Sequence, residues 1–599
     1  MESNTDAPGP VTRSQQLLVL ATAAGVALSR LPAMSQTLWD WDEVQFAMAV
    51  EEYDVPSYRP HPPGFPLFIA LANIARAFAP SDFRALQAVT VLAAVSLFPL
   101  LFFLFRELRF PFATAWGGAL LTMFVPNVWF YGGTGFSDVP ALALTVAACA
   151  YLLRGARDRT SFLLGAFLLG LSAAMRPQAL LVGAAPALVA AWKRRHRWRD
   201  IVLAIALGAT TIAAAYAGAV LASSSYEDYV QTAAKLREYL RSVDSFLSPE
   251  RPPLGVLFEF FFFRTLPGEP YGRLLVYAAA AGLLVTLLRR EGRVVLLLLM
   301  FVPLQIFAWL MLDYHSVTRY GVMFAPMYAV LAAAAVIGVL AWIPGLGRAA
   351  GAVVIVLFAA SWARWTFPAL TEVRRHASPP VRAVMWLNEN VPSSSMVYVH
   401  ASFTSFARYF MGGRPHEKVE SPADLGSVPA ADDALLVSET SLPLLSAQRF
   451  VRGRGVLFEI ARRRYFEVTV IRAGAWGEFG DGWHAMEWHG EAVWLWMGGR
   501  SEMSLPPAAG SMKLSLRLEP ALEHGPPIIE AQLNGQLVER FALTETMEKS
   551  WVVPARSDGW NELVLTSDRF VNPLQEGISA DGRDLSLRLL GYDWVPAKR

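Results

Sequence analysis

Residues 84–105 read Arg84-Ala-Leu-Gln-Ala-Val-Thr-Val-Leu-Ala-Ala-Val-Ser-Leu-Phe-Pro-Leu-Leu-Phe-Phe-Leu-Phe105, with Arg106 next. Between its two arginines the stretch carries no charge, and about 20 such residues make a helix that crosses a bilayer. A window of about 19 residues finds ten more, near 15–34, 112–130, 137–153, 160–175, 177–192, 201–222, 271–288, 294–312, 321–343 and 349–367. The sequence predicts an α-helical polytopic membrane protein with about eleven transmembrane helices. The pair flanking Arg176 is short enough to form a hairpin that does not fully cross. Residues 16–29 also suit a signal-peptide core with a weak cleavage match at Ala33-Met34-Ser35, but retention as a first helix is the reading carried forward.

Composition agrees. Of 599 residues 54% are hydrophobic and 17% charged, and mean hydropathy is +0.35, whereas soluble domains are about 25% charged. A cytosolic globular enzyme and a disordered chain are excluded. The net charge of +2 gives no sign of a polyanion partner, so nucleic acid is not expected. The lone cysteine, Cys149, rules out an intramolecular disulfide and a thiolate metal site. Six of the 52 basic residues are lysines, so anion binding is expected to fall to guanidinium groups.

Arginine placement sets orientation. Alternate loops carry Arg106/Arg109, Arg154/Arg157/Arg159, Lys193/Arg194/Arg195/Arg197/Arg199, Arg289/Arg290/Arg293 and Arg348. The short loops between them carry only Arg176 and Arg319. Positive loops stay inside, which puts residues 1–14 in the cytoplasm and 15–367 in a transmembrane domain. Two loops of that domain, 35–83 and 223–270, fall outside, together with the whole tail from 368. In the tail, 368–473 reads as an α/β subdomain, with a helix over 381–390 and strands at 396–400, 434–438, 456–460 and 466–471. From 474 to 599, regular short alternating segments suggest an antiparallel, jelly-roll-like β-sandwich. Trp494 and Trp496 share one strand face. With Trp483 they are candidates for stacking on sugar rings, against the alternative that they fill the sandwich core.

The chemistry-bearing residues lie in the first outer loop. Asp40-Trp41-Asp42-Glu43 precedes an apolar stretch, and an acid followed three residues later by Glu matches a capping box. A short helix is then expected from Trp41, lying along the outer membrane surface. Asp40 and Glu43 hold its end, and Asp42 is left unassigned in the first turn, where the helix dipole favours a carboxylate. Such a group suits a general base; the alternative is that all three acids cap and face solvent. Next comes Tyr58-Arg59-Pro60-His61-Pro62-Pro63-Gly64-Phe65-Pro66, whose prolines forbid helix and project Arg59 and His61 from a stiff frame.

An Asp-Glu pair opening a short helix after the first span, then His-Pro-Pro-Gly-Phe-Pro before a second, resembles the GT-C polyprenyl-phosphate-sugar glycosyltransferases. The likeness is to the protein O-mannosyltransferase and aminoarabinose-transferase type (glycosyltransferase family 39), over roughly residues 15–345. The resemblance implies an inverting transferase in a bacterial cytoplasmic membrane, with a polyprenyl-phosphate sugar as donor and a glycan, glycolipid or protein as acceptor. Asp42 falls on the family's proposed catalytic base and Glu43 on its second acid. His61 falls where the aminoarabinose transferases carry a phosphate-facing lysine. Ser137-Asp138-Val139-Pro140 resembles the family's second acidic loop, giving Asp138 an acceptor-positioning or metal role, or else a plain N-cap. Arg319-Tyr320 with Pro326 resembles its Arg-Tyr…Pro opening of a late helix. Arg319 then suits the donor phosphate or simple snorkelling. Arg176, isolated between apolar stretches, is a further phosphate candidate. No cofactor is required by this reading. A divalent metal is left open, since Asp42, Glu43, His61 and Asp138 are candidates to gather round one ion. A lipid-linked-sugar flippase and an inactive glycan-binding scaffold are the competing readings.

Overall fold

The structure, a computed structural model, describes residues 10–249, 251–341, 343–345, 347–420, 434–438, 444–445, 447–452, 455–461, 465–472, 475–489, 492–521 and 523–597. Two compact units emerge: Met1–Ala377 together with Gly455–Arg463, and Ser378–Arg454 with Arg464–Arg599.

The first unit is helical throughout. Its helices are α1 (Arg13–Arg30), α2 (Trp41–Glu51), α3 (Pro66–Arg76), α4 (Asp82–Glu107), α5 (Phe112–Phe124), α6 (Pro126–Tyr131), α7 (Asp138–Gly155) and α8 (Arg159–Met175). Then come α9 (Ala179–Lys193), α10 (Trp198–Ala222), α11 (Tyr226–Tyr239), α12 (Leu254–Phe262), α13 (Tyr271–Leu288), α14 (Gly292–Met311), α15 (Val317–Leu340) and α16 (Gly347–Arg375). Among the described residues, eight helices are long and apolar enough to cross a membrane: α1, α4, α7, α10, α13, α14, the helix ending in α15, and that beginning with α16. The chain is an integral membrane protein. All eleven expected spans are helical, but α5, α8 and α9 fall short of that length. The stretch at 112–130 breaks into α5 and α6 at Pro126.

Packing separates central from peripheral helices. α7 and α15 are buried along most of their length, while α10 is exposed almost throughout and presents Val202, Leu203, Ile205 and Leu221, an apolar surface suited to lipid. α7 packs on α8, α4 and α9, and α15 on α13 and α5. Small residues permit the close approaches that membrane helices use: a Cβ at Gly118 of α5 would sit 2.8 Å from the Val330 Cα of α15.

Two expectations need correction here, and a third gains detail. The helix α2 is covered by protein, every residue from Asp42 to Ala49 being buried. Val44, Phe46, Ala47, Met48 and Ala49 make it apolar all round, and such a helix belongs inside. The last span does not stop at 367 but continues as helix to Arg375. Residues Val456–Ile460, read as a strand, form a short helix that counts with the first unit. Leu457 and Ile460, three apart, are its buried face; a five-residue apolar run does not distinguish the two periods.

The second unit begins with helices Pro379–Asn390 and Thr404–Phe410. Its five-stranded mixed sheet runs in the order 416–419, 397–400, 434–438, 467–472, 448–451. Two further five-stranded sheets follow. One orders Met547–Pro554, Ser511–Pro520, Leu587–Pro596, Ala492–Met497 and Glu487–His489; the other orders Gln536–Ala542, Ile528–Leu533, Asn561–Ser567, Arg500–Leu505 and Glu478–Phe479. Every pairing in them is antiparallel. Met497, Leu514, Leu516, Leu563, Leu565 and Trp594 are part of the core they share.

Candidate active site

The first turn of α2 divides its three acids by task. Asp40 is the N-cap and accepts the Asp42 backbone N–H at 3.1 Å. Glu43 is fully buried and completes the capping box. Its carboxyl accepts from the backbone N–H groups of Trp39 (2.6 Å), Asp40 (3.2 Å) and Gly135 (2.6 Å). Burial pushes that carboxyl up to about 8, against the pull of those three donors. The capping box is formed by the Asp40 and Glu43 side chains, not by the Asp42 carboxylate.

Asp42 is instead 7% exposed and joins a charged network drawn from distant parts of the chain. One oxygen pairs with Nη1 of Arg319 at the start of α15; the other lies 4.0 Å from His61 Nδ1. Arg319 Nε donates to Asp138 Oδ2 at 3.1 Å, and Arg176 Nη2 donates to the same oxygen at 2.9 Å. Arg176 Nε also donates to Ser137 Oγ at 2.9 Å. Ser137 therefore supports an arginine, with no side-chain cap on α7. Rings back both cations: Arg319 lies 4.4 Å from the Phe136 centroid and Arg176 5.5 Å from that of Phe65. Two carboxylates and two guanidiniums thus sit together, Arg319 5% and Asp138 1% exposed. Buried charges at such depth persist when paired and hydrogen-bonded.

The proline-rich loop is fixed against this network. His61 hydrogen-bonds Gln45 on α2, and the rings of Phe46 and Phe65 pack beside it at 5.9 and 4.9 Å. Tyr53 donates to the Gly64 carbonyl at 2.9 Å, and Tyr229 of α11 to that of Pro63 at 3.0 Å. Gly64 has φ +97°, and a Cβ there would meet the Tyr53 hydroxyl at 2.3 Å, so the position needs glycine. Asp54 accepts from the Ser224 backbone N–H and hydroxyl, joining the segment after α10 to this loop.

Five of the expected site residues, Asp42, His61, Asp138, Arg176 and Arg319, come together. Glu43 holds backbone amides. Arg59 pairs with the exposed Glu52, and Tyr320 is half-buried next to Arg319, within electrostatic reach of Arg176. Among the described residues no three or more His, Cys, Asp or Glu side chains are grouped to hold a metal ion. Sequence reasoning missed Gln45, Tyr53 and Tyr229. Of these only Gln45 had a local signal, three residues beyond Asp42 and so on the same helix face.

In the second unit, Trp494 and Trp496 alternate with buried Val493, Leu495 and Met497. They therefore face out of the sandwich, with the Arg588 guanidinium 5.3 and 5.2 Å from their rings. Trp483 packs against the core and donates its indole N–H to the Glu502 carbonyl at 2.9 Å.

No protein-family model and no curated protein matches the chain. Among solved structures it is similar to ArnT from Cupriavidus metallidurans bound to undecaprenyl phosphate, at 12% identity over 76% of this chain and 98% of that one, with a TM-score of 0.49. Arabinosyltransferase EmbB from Mycobacterium smegmatis aligns over 99% of this chain and 66% of its own, at 11% identity and a TM-score of 0.39. Arabinofuranosyltransferase AftD from Mycobacteria aligns over 98% and 61%, at 11% identity and a TM-score of 0.40.

Proposed function

We propose that this chain is an inverting glycosyltransferase that moves one sugar from a polyprenyl-phosphate donor to an acceptor hydroxyl at the outer face of a bacterial cytoplasmic membrane, its N-terminus in the cytoplasm. The observation that carries the reading is the buried network of Asp42, Arg319, Asp138 and Arg176 beside His61. It offers a base and a set of cations within a few ångströms of one another, which is what displacement at an anomeric carbon next to a phosphate requires.

In this reading Asp42 takes the proton of the acceptor hydroxyl. The acceptor oxygen bonds the anomeric carbon as the carbon–oxygen bond to phosphate breaks on the opposite face, giving inversion. The electron pair leaves with the phosphate. Arg319, Arg176 and His61 stabilise the charge that accumulates there, an effect worth about 3–4 kcal/mol for each well-placed donor. Asp138 holds both arginines in position. A short part of the prenyl tail would lie in an apolar crevice lined by Leu121, Leu274, Ala332, Val336 and Phe358. Ala332 stands 13 residues beyond Arg319 on α15, roughly 20 Å along the helix, so headgroup and tail are served by one element. The outward pair Trp494 and Trp496 is available to an acceptor glycan.

The test uses purified protein in liposomes with labelled polyprenyl-phosphate sugar, reading release of polyprenyl phosphate. Wild type should turn over and Asp42→Asn should fall about 10²- to 10⁴-fold below it. Donor crossing the bilayer at a rate that Asp42→Asn leaves unchanged is the flippase result. No turnover in wild type with any acceptor class is the scaffold result. Either one overturns the reading.

A further inference from the structure

We propose that Gln45 is a positioning residue that fixes the tautomer of His61, so that Nδ1 carries the hydrogen and Nε2 is the nitrogen that serves the donor phosphate. The inference rests on the reaction proposed above and assigns a role to a residue that no sequence motif marks.

The argument is one of donors and acceptors. Gln45 is buried. Its Oε1 lies 3.2 Å from the His61 backbone nitrogen and 2.9 Å from His61 Nδ1. A backbone N–H can only donate, so the Gln45 atom facing it is the oxygen and not the amide nitrogen. An amide oxygen can only accept, so the ring nitrogen on that same oxygen must donate. Nδ1 therefore carries hydrogen, and Nε2 is the position that gains or loses a proton. Asp42 does not set this arrangement, because its nearer oxygen is 4.0 Å from Nδ1, beyond hydrogen-bond reach. Phe46 and Phe65 pack on the ring and hinder the flip that would exchange the nitrogens. The loop carbonyls at Pro63 and Gly64 are pinned by Tyr229 and Tyr53.

Charge explains why an amide suits this place. The charged groups around His61 are Asp42 beside it, Arg319 on the other oxygen of Asp42, and Arg176 over the Phe65 ring. Asp138 pairs with both arginines and the buried Asp40 also acts on Arg319, so the arginines leave no spare positive charge. A proton on Nε2 then supplies the positive charge that meets a phosphate. A neutral oxygen orients the ring without cancelling that charge, whereas a carboxylate at 45 would orient it and cancel it.

The experiment labels the histidines of the full-length protein with 15N, in lipid nanodiscs, and assigns His61 by comparison with His61→Ala. In the neutral form, wild type should show hydrogen on Nδ1. Gln45→Met should populate the Nε2–H tautomer and lower kcat/KM for the donor about 10- to 100-fold, the loss expected of a hydrogen bond to a charged group. Most of that loss should appear in donor KM. Gln45→Glu should keep hydrogen on Nδ1 yet still raise donor KM. Hydrogen on Nε2 in wild type overturns the proposal, as does an unchanged tautomer in Gln45→Met. Hydrogen on Nδ1 in a protein without turnover overturns the transferase reading and leaves the tautomer assignment in place, so the two failures are distinguishable.

Discussion

Asp42→Asn should do two things that a general loss of structure would not do together. Arg319 is shared between Asp42 and Asp138. The substitution removes one of its two counter-charges while keeping the shape and one acceptor oxygen. Turnover should fall about 10²- to 10⁴-fold, the contribution of a positioned general base. Binding of the leaving group should improve. A phosphate on the far side of the Arg319 guanidinium would sit about 6 Å from the Asp42 carboxylate, and two unit charges at that distance repel by roughly 3 kcal/mol at an effective dielectric near 20. With half of that lost to relaxation, the variant should bind a short-chain polyprenyl phosphate about 10-fold tighter, and without relaxation about 100-fold. Isothermal titration on nanodisc-embedded protein reads the affinity, and donor hydrolysis or transfer reads the turnover. A correctly folded Asn variant that binds the lipid phosphate no better than wild type would show that Arg319 is not the phosphate's partner. Retained turnover would remove Asp42 from the chemistry.

Arg319→Met should destabilise by about 3–5 kcal/mol, because it leaves Asp42 and Asp138 buried without the cation between them; thermal unfolding in detergent checks it. Arg319→Lys should fold but lose most activity, since one ammonium cannot reproduce a fork that meets Asp42 through Nη1 and Asp138 through Nε. Burial raises Glu43 from an ordinary 4.5 to about 8, so its folded state retains a proton that the unfolded chain releases. That stability is complete below pH 4.5 and is lost as pH rises through 8. Glu43→Gln should accordingly flatten the fall of Tm between pH 5 and 8.5; a variant equally destabilised at every pH would mean that the three backbone donors keep the carboxylate ionised. Tyr229→Phe removes the hydrogen bond to the Pro63 carbonyl and should lower kcat/KM about fivefold, on the order of 1 kcal/mol, with Tm nearly unchanged.

What could be read from the sequence was whatever is encoded within one helix or one turn. Uncharged runs of about 20 residues announce spans whatever their partners, and Asp40 with Glu43 announces a helix start because both hydrogen bonds close within four residues. The fate of Val456–Ile460 was not encoded at that range, since it depends on what lies opposite, whereas the all-round apolar composition of α2 did mark that helix for burial. The site shows the same limit more sharply. Arg176, Arg319, Asp42 and Asp138 each stand at the end of an apolar stretch, where capping, snorkelling and phosphate binding all answer to the local sequence. That they pair with one another is not legible there, because the pairs join residues 277, 181 and 38 positions apart. Geometry then changes the chemistry that the sequence suggested. The arginines expected to wait for a phosphate are already engaged by carboxylates, so the network holds no spare positive charge. On the proposed reading a donor phosphate would compete for Arg319 or draw charge from His61, and where it takes Arg319 it would free an oxygen of Asp42 to serve an acceptor as base.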